Sequence, residues 1–254
     1  MQSKRGRMMS GPRFDAIILD IGDTLIRTES IMRRCAGKAA VRVAVGHPPL
    51  NPNNLVDSFF LEDGKAEWPH INHFYSDIRI MESALANSEF AHKNLLRQIA
   101  AELLVSYRQE LRSFIIPNKR VTDTLSSLRD ESIRLGVISN GTLLEQIEIL
   151  INMGVLEFFQ AIVISEEVGF KKPSAEIFDV AVERLGLMSR ADILYVGDNW
   201  QNDVIGATSA GLQAAHLQPD SKDFGRSICD GIEYYSIRSL SDLVLLSTEP
   251  GDAA

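Results

Sequence analysis

The feature that most constrains this chain is an alternation that begins at Pro117, where short apolar runs and longer amphipathic stretches follow one another without a break. The spacing predicts a helix ending at Asp130, a strand over Ile133–Ile138 and a helix over Leu143–Met153. A strand over Ala161–Ile164, a helix over Ala175–Leu185 and a strand over Ile193–Val196 follow. Gly154 and Gly186 fall just past helix ends, where a residue free to turn left-handed closes the last turn at little cost. Thr142 and Glu145 have the T-x-x-E spacing of a capping box. Strands that alternate with helices pair in parallel, because each helix carries the chain back across the sheet. The expected core is therefore α/β, a doubly wound parallel sheet, whose ligands bind outside the carboxyl ends of the strands.

One more strand precedes this series. Phe14–Asp20 holds the continuous apolar run Ala16, Ile17, Ile18, Leu19 and is closed by Gly22, the pattern of a strand buried on both faces. Between it and the alternating region the pattern changes. Ile31–Val45 and Glu89–Leu111 read as long helices, the second with Ser88 as N-cap, and no strand pattern interrupts them. Gly46–Asn54 is rich in Pro and Asn, and Gly64–Asp77 carries Trp68, His70 and His73; both read as loops and short helices. The chain thus divides into a flexible tail (1–13), an α/β core (14–27 and 115–254) and an inserted helical cap (28–114).

Charge and cysteine content narrow the function. A net charge of -8 argues against broad nucleic-acid or anionic-membrane binding, since contacts to a phosphate backbone need a surplus of Lys and Arg. The basic tail, with Lys4, Arg5, Arg7 and Arg13, has no apolar run of signal-peptide length. Cys35 and Cys229 stand far apart and outside any metal-ligand spacing, so a cytoplasmic location is expected, without disulfides or zinc. No segment approaches the roughly 18 apolar residues of a membrane span. A small molecule remains as the expected partner.

Four short segments at predicted strand ends carry the chemistry. Asp20-Ile21-Gly22-Asp23-Thr24-Leu25 puts a carboxylate at a strand tip, where it can act as a nucleophile. Ile138-Ser139-Asn140-Gly141 brings a hydroxyl and free backbone N–H groups just before a helix, a setting suited to anionic oxygens. Gly169-Phe170-Lys171-Lys172-Pro173 supplies a compact positive charge. Gly197-Asp198-Asn199-Trp200-Gln201-Asn202-Asp203 offers two carboxylates whose hard oxygens suit Mg²⁺ bound together with a phosphate.

In that order these segments resemble the haloacid dehalogenase superfamily, whose motifs run D-x-D-x-T, a strand-end Ser or Thr, K-P, and G-D-x-x-x-x-D. The resemblance covers about residues 14–217. It implies a Rossmann-like core with a helical cap and a Mg²⁺-dependent hydrolase acting on a small phosphorylated metabolite. Asp20 would form an aspartyl-phosphate, Ser139 would bind the phosphoryl oxygens with help from Asn140 and Thr24, and Lys172 would hold the charges together. Asp20, the backbone carbonyl of Gly22 and Asp198 would ligate Mg²⁺, with Asp203 supporting the metal site.

The chain departs from the pattern at Gly22, where phosphatases of this family carry a second Asp that serves as general acid and then base. Glycine cannot transfer a proton, and such catalysis is worth about 10²- to 10⁴-fold. Asp23 is the candidate to reach round and replace it; as a turn residue it also suits bonding to its own backbone. Three other readings stay open at this point. A 2-haloacid dehalogenase also lacks the second Asp, but resembles S-S-N where this chain has Gly197-Asp198-Asn199. A phosphonatase keeps magnesium and needs a cap amine, for which Lys65 is the candidate. A non-catalytic relative would bind a phospho-ligand or a protein. His70 and His73, beside Trp68, are candidates for substrate contacts.

Overall fold

The computed structural model describes residues 14–48, 50–65, 78–87 and 95–248. The tail, Trp68, His70, His73 and Ser88 lie outside the described residues, and so does the side chain of Lys65. Seven strands form one sheet: β1 (Ala16–Leu19), β2 (Arg134–Ser139), β3 (Ala161–Ile164), β4 (Ile193–Gly197), β5 (Gln213–Leu217), β6 (Gly225–Cys229) and β7 (Ile232–Ile237). Their order is β3-β2-β1-β4-β5-β7-β6, parallel throughout except that β6 runs antiparallel to β7. The expected doubly wound parallel sheet is therefore observed. The chain winds outward from β1 through β2 and β3, then returns to β4, so β1 and β4 flank the point where the winding reverses.

The period-2 alternation of β1 divides the core. Ile17 and Leu19 join an apolar cluster with Leu135, Val137, Leu194 and Val196, whereas Ala16 and Ile18 join a second one with Ile138, Val163, Ile193 and Tyr195. Helices α5 (Lys119–Asp130), α6 (Leu143–Asn152) and α10 (Asp242–Thr248) cover the first face. On the second lie α8 (Ala175–Leu185) and α9 (Gly206–Ser209), the latter continuing a π-helical turn over Trp200–Ile205; the single turn α7 (Ser165–Val168) follows β3. Gly154 and Gly186 have φ of 69° and 64°, as expected of left-handed helix ends. Thr142 Oγ1 accepts the Glu145 N–H at 3.4 Å, the first half of the expected box.

Between β1 and α5 the chain makes helices α1 (Thr28–Gly46), α2 (Pro52–Lys65), α3 (Ile78–Asn87) and α4 (Leu96–Phe114). They pack in sequence, α1 on α2 and α4, α3 on α2 and α4, around Met32, Ala39, Leu55, Met81, Leu85, Ile99, Leu103 and Tyr107. Helix α2 refines the reading of Gly46–Asn54 as loops and short helices: Pro52, Asn53 and Asn54 open a helix of 14 residues. Asn51 Oδ1 caps this helix by accepting the N–H groups of Asn53 at 3.0 Å and Asn54 at 3.4 Å, and Pro52 takes a first-turn position where no N–H is needed. Helix α4 is tied to the core through Arg108 and Arg112, which pair with Glu148 of α6 at 3.0 and 2.7 Å. Among the described residues no helix is long and apolar enough to cross a membrane.

Beyond the motifs, the hairpin β6–β7 completes one edge of the sheet. Asp230 and Gly231 form its two-residue turn with φ of 51° and 80°, the left-handed pair that twists two strands together correctly.

Candidate active site

Asp20 follows β1 and Asp198 follows β4, so the parallel register places both at the carboxyl edge where the winding reverses. Ser139 ends β2. The Lys172 loop after α7 and the π-helical turn carrying Asp203 fold in from the flank. Together they line a cavity of about 320 Å³, with Thr28 and Met32 of α1 on its wall.

Its floor is a buried cluster of charges. Lys172 Nζ donates to Asp20 Oδ1 at 2.6 Å, to Asp203 Oδ1 at 2.6 Å and to the Tyr195 hydroxyl at 2.8 Å. Both carboxylates and the lysine are at least nine-tenths buried, so removing the lysine would leave two buried carboxylates uncompensated. Burial raises the Asp20 carboxyl, with the Asp203 and Asp198 charges adding to it, up to about 7 against the pull of Lys172. Burial acts to lower the Lys172 ammonium, but Asp20 and Asp203 outweigh it, and the net shift is upward. Asp198 is raised by burial first and then by Asp203 and Asp23.

Carboxylate oxygens of Asp20, Asp198 and Asp203 lie within 4.8 Å of one another. Four Asp residues line the cavity, and Lys172 is the one Lys or Arg among the described residues that does so. Hard oxygen donors with surplus negative charge are what Mg²⁺ takes from a protein, so the residues present fit that ion.

Each carboxylate is held by local structure. Asp203 Oδ2 accepts the Asn199 N–H at 2.9 Å while Asn199 Oδ1 accepts from Asn202 N at 2.8 Å, which winds the π-helical turn and aims Asp203 inward. Gly197 makes room: a Cβ there would sit 2.3 Å from the Asp203 carboxyl. Behind Asp198, His216 Nε2 lies 2.8 Å from its backbone carbonyl.

Several residues expected at a phosphate have other uses. Thr24 Oγ1 donates to Asp198 Oδ1 at 3.3 Å and is not among the residues lining the cavity. Asn140 faces the cavity, but its carboxamide brackets the Lys172 backbone, accepting its N–H at 2.8 Å and donating to its carbonyl at 3.1 Å. Ser139 is buried beside the cavity, and its hydroxyl donates to Gln146 Oε1 at 3.2 Å. Asp23 adopts a left-handed φ of 50° and accepts both the N–H and the hydroxyl of Thr28, at 2.9 and 3.0 Å. Its carboxylate therefore anchors the first turn of α1, and the geometry favours that use over acid–base chemistry. Gly22 lines the cavity, and a Cβ there would approach Thr28 Oγ1 to 3.3 Å.

Thr28, Met32, Gln146, Asn199 and Asn202 of the cavity wall, and Tyr195 beneath it, were not singled out in the sequence. Gln146 lies on the buried face of α6 with Ile149 and Leu150, and a polar residue in that stripe is a readable signal. Tyr195 sits inside an apolar strand and carries no signal of its own.

Similarity to known proteins agrees with this geometry. The family model described as haloacid dehalogenase-like hydrolase matches residues 75–217. A glyceraldehyde 3-phosphate phosphatase of Methanothermobacter thermautotrophicus is 32% identical over 234 residues, covering 90% of this chain and 97% of that one. The pyrimidine 5'-nucleotidase YjjG of Escherichia coli is 34% identical over 121 residues, 47% of this chain and 53% of its own. Among solved structures, a 2-haloacid dehalogenase from Pseudomonas syringae superposes with a TM-score of 0.70 at 23% identity, covering 91% of this chain and 98% of that one; this likeness is one of fold.

Proposed function

The chain belongs to the haloacid dehalogenase-like hydrolases, and on that premise we propose that it is a phosphoric monoester hydrolase acting on a small phosphorylated metabolite. The observation that carries this reading is the Lys172 ammonium held between Asp20 and Asp203, with Asp198 beside them at the mouth of the sheet.

In this reading Lys172 holds Asp20 Oδ1, and the other carboxylate oxygen attacks phosphorus. The bond to the leaving alcohol oxygen breaks as the aspartyl-phosphate forms, and that oxygen takes a proton from water because Gly22 has none to offer. A second water, yielding a proton to the hydroxide left by the first, then attacks phosphorus; the bond from phosphorus to the Asp20 oxygen breaks, restoring the carboxylate and releasing inorganic phosphate. For Ser139 to bind a phosphoryl oxygen its hydroxyl must turn away from Gln146, and of the N–H groups ahead of α6 those of Gly141 and Leu143 are taken by Ser165 Oγ and the Glu166 carboxylate. Asp20, Asp198 and the Gly22 carbonyl would hold Mg²⁺, with Asp203 supporting them. When bound, the ion supplies charge neutralisation on the transferring group.

We assign selection of the leaving group to α1–α4, acting as a cap over the core, with Thr28 and Met32 as its contacts at the cavity. Glyceraldehyde 3-phosphate is the first candidate by similarity. A reducing cytoplasm is consistent with Cys35 and Cys229 both being free thiols. Carbon–halogen cleavage is disfavoured because it gives Asp198 nothing to do.

The test is steady-state hydrolysis of p-nitrophenyl phosphate and a panel of sugar, triose and nucleoside phosphates, with and without Mg²⁺, beside Asp20→Asn. Turnover that needs both Mg²⁺ and Asp20 is expected. A wild type that binds Mg²⁺ yet leaves every phosphate ester intact would sink the phosphatase reading and bring phosphonate cleavage or a binding role forward.

A further inference from the structure

A primary ammonium has three N–H donors. In Lys172 all three are committed to protein: one to Asp20, one to Asp203 and the third to the Tyr195 hydroxyl at 2.8 Å. That hydroxyl donates in turn to Asp203 Oδ1 at 3.1 Å, closing a ring of three groups in which each hydrogen bond fixes the next. We propose that Tyr195 is a positioning residue for catalysis: its hydroxyl takes the third ammonium proton and thereby orients Lys172, so that one oxygen of Asp20 is held and the other is left for chemistry. The inference rests on the phosphatase reading for its catalytic consequence, but the ring itself stands apart from it.

The surroundings make this use of a tyrosine specific. Tyr195 is fully buried on β4 directly opposite Ile18 of β1, two residues before Asp20 on the same face, so its hydroxyl comes up beneath the nucleophile. The ring packs edge-on against Phe178 at 5.1 Å, within an apolar cluster that needs only its hydrocarbon. Only its hydroxyl tip reaches the polar floor. The hydroxyl accepts from the Lys172 ammonium and donates to Asp203, so it fills a donor and an acceptor role at once. A phenylalanine would fill the same space, which makes the hydroxyl separable from the packing.

Tyr195→Phe is the test, with two readouts. In steady state on the preferred phosphate ester, kcat should fall about tenfold, while KM changes less than about twofold and the melting temperature stays near wild type; a merely structural role would not split the constants this way. In protein labelled with ¹⁵N-lysine, the wild type should show one side-chain ammonium signal protected from solvent exchange, assigned by its loss in Lys172→Met. In Tyr195→Phe that signal should broaden or vanish. An unchanged kcat in an active enzyme, or a Lys172 signal equally protected without the hydroxyl, would overturn the proposal. Should the wild type hydrolyse no phosphate ester, the phosphatase reading fails, and the ammonium spectrum still decides whether Tyr195 orients Lys172.

Discussion

The two halves of this molecule use buried polar groups differently. At the carboxyl edge of the sheet, Lys172, Asp20, Asp203 and Tyr195 are buried together and committed to one another, from segments far apart in the chain. In α1–α4 the interior is mainly apolar; Arg97–Glu82 and His47–Glu102 pair at or near the surface, and the buried Glu110 is paired with Lys38 and Arg42, whose own side chains are half exposed. Close-range transfer chemistry needs groups fixed against water, which only a rigid sheet edge supplies here. Helices packed on hydrocarbon can change their wall residues without disturbing that edge, so under the proposed function the difference would separate how a bond is broken from which molecule is admitted.

The comparison is most severely tested at Lys172. Replacing it with Met should abolish turnover and, by leaving Asp20 and Asp203 uncompensated, cost about 3–5 kcal/mol, or roughly 10 °C in Tm. A variant that stays as stable as wild type would show that the buried cluster is less coupled than its distances imply.

Gly22→Asp sharpens the comparison from the other side, by restoring a proton carrier to the edge. The position has ordinary backbone geometry and its Cβ would press on Thr28 Oγ1, a side-chain atom that can rotate away. A rise in kcat of about 10²-fold is expected on alkyl phosphates, less on p-nitrophenyl phosphate, whose leaving group departs without a proton. Equal gains from Gly22→Asn would break the acid–base explanation.

On the α1–α4 side, Met32→Leu keeps the volume of a buried wall residue but changes its shape. It should shift kcat/KM between two metabolites by about threefold to tenfold while leaving p-nitrophenyl phosphate turnover near wild type. Parallel loss on every substrate would place Met32 with the chemistry.

The smallest effect belongs to the tie between the halves. Burial works to raise Glu148, but hydrogen bonds from Arg112 and Arg108 dominate and lower it. A depressed carboxyl contributes stability above its unfolded value of about 4.3 and loses it as pH falls through the lower folded value. Glu148→Gln should therefore lower Tm by about 2–4 °C at neutral pH, with the gap closing in acid. A gap that persists below pH 3 would assign the loss to packing.

Legibility followed the same division. From Pro117 to Val196 the six elements read from the sequence lie within a residue or two of those observed, because short buried strands and glycine-ended helices leave local signals, whereas β5, β6, β7 and α10 were not read. The extent of helix α2 was lost because Asn51 and Pro52 suggest a loop as readily as the cap they form. The Asp230-Gly231 hairpin carried a two-residue signal that went unread. At the site, strand ends pointed to Asp20, Ser139 and Asp198, whereas the uses of Thr24, Asn140 and Asp23 could not be read from spacing.

What the sequence by itself determined is the alternation that builds a parallel sheet and the placing of reactive groups at its carboxyl edge, since both follow from periods and turns within a few residues. What only the tertiary structure decided is which of those groups meet. Lys172 reaches Asp20 across 152 residues, Tyr195 turns from core filler into the third acceptor of an ammonium, and Asp23 is taken by Thr28. Hydrogen bonds are directional and short, so whether two such groups pair depends on how distant segments pack, which no local pattern records.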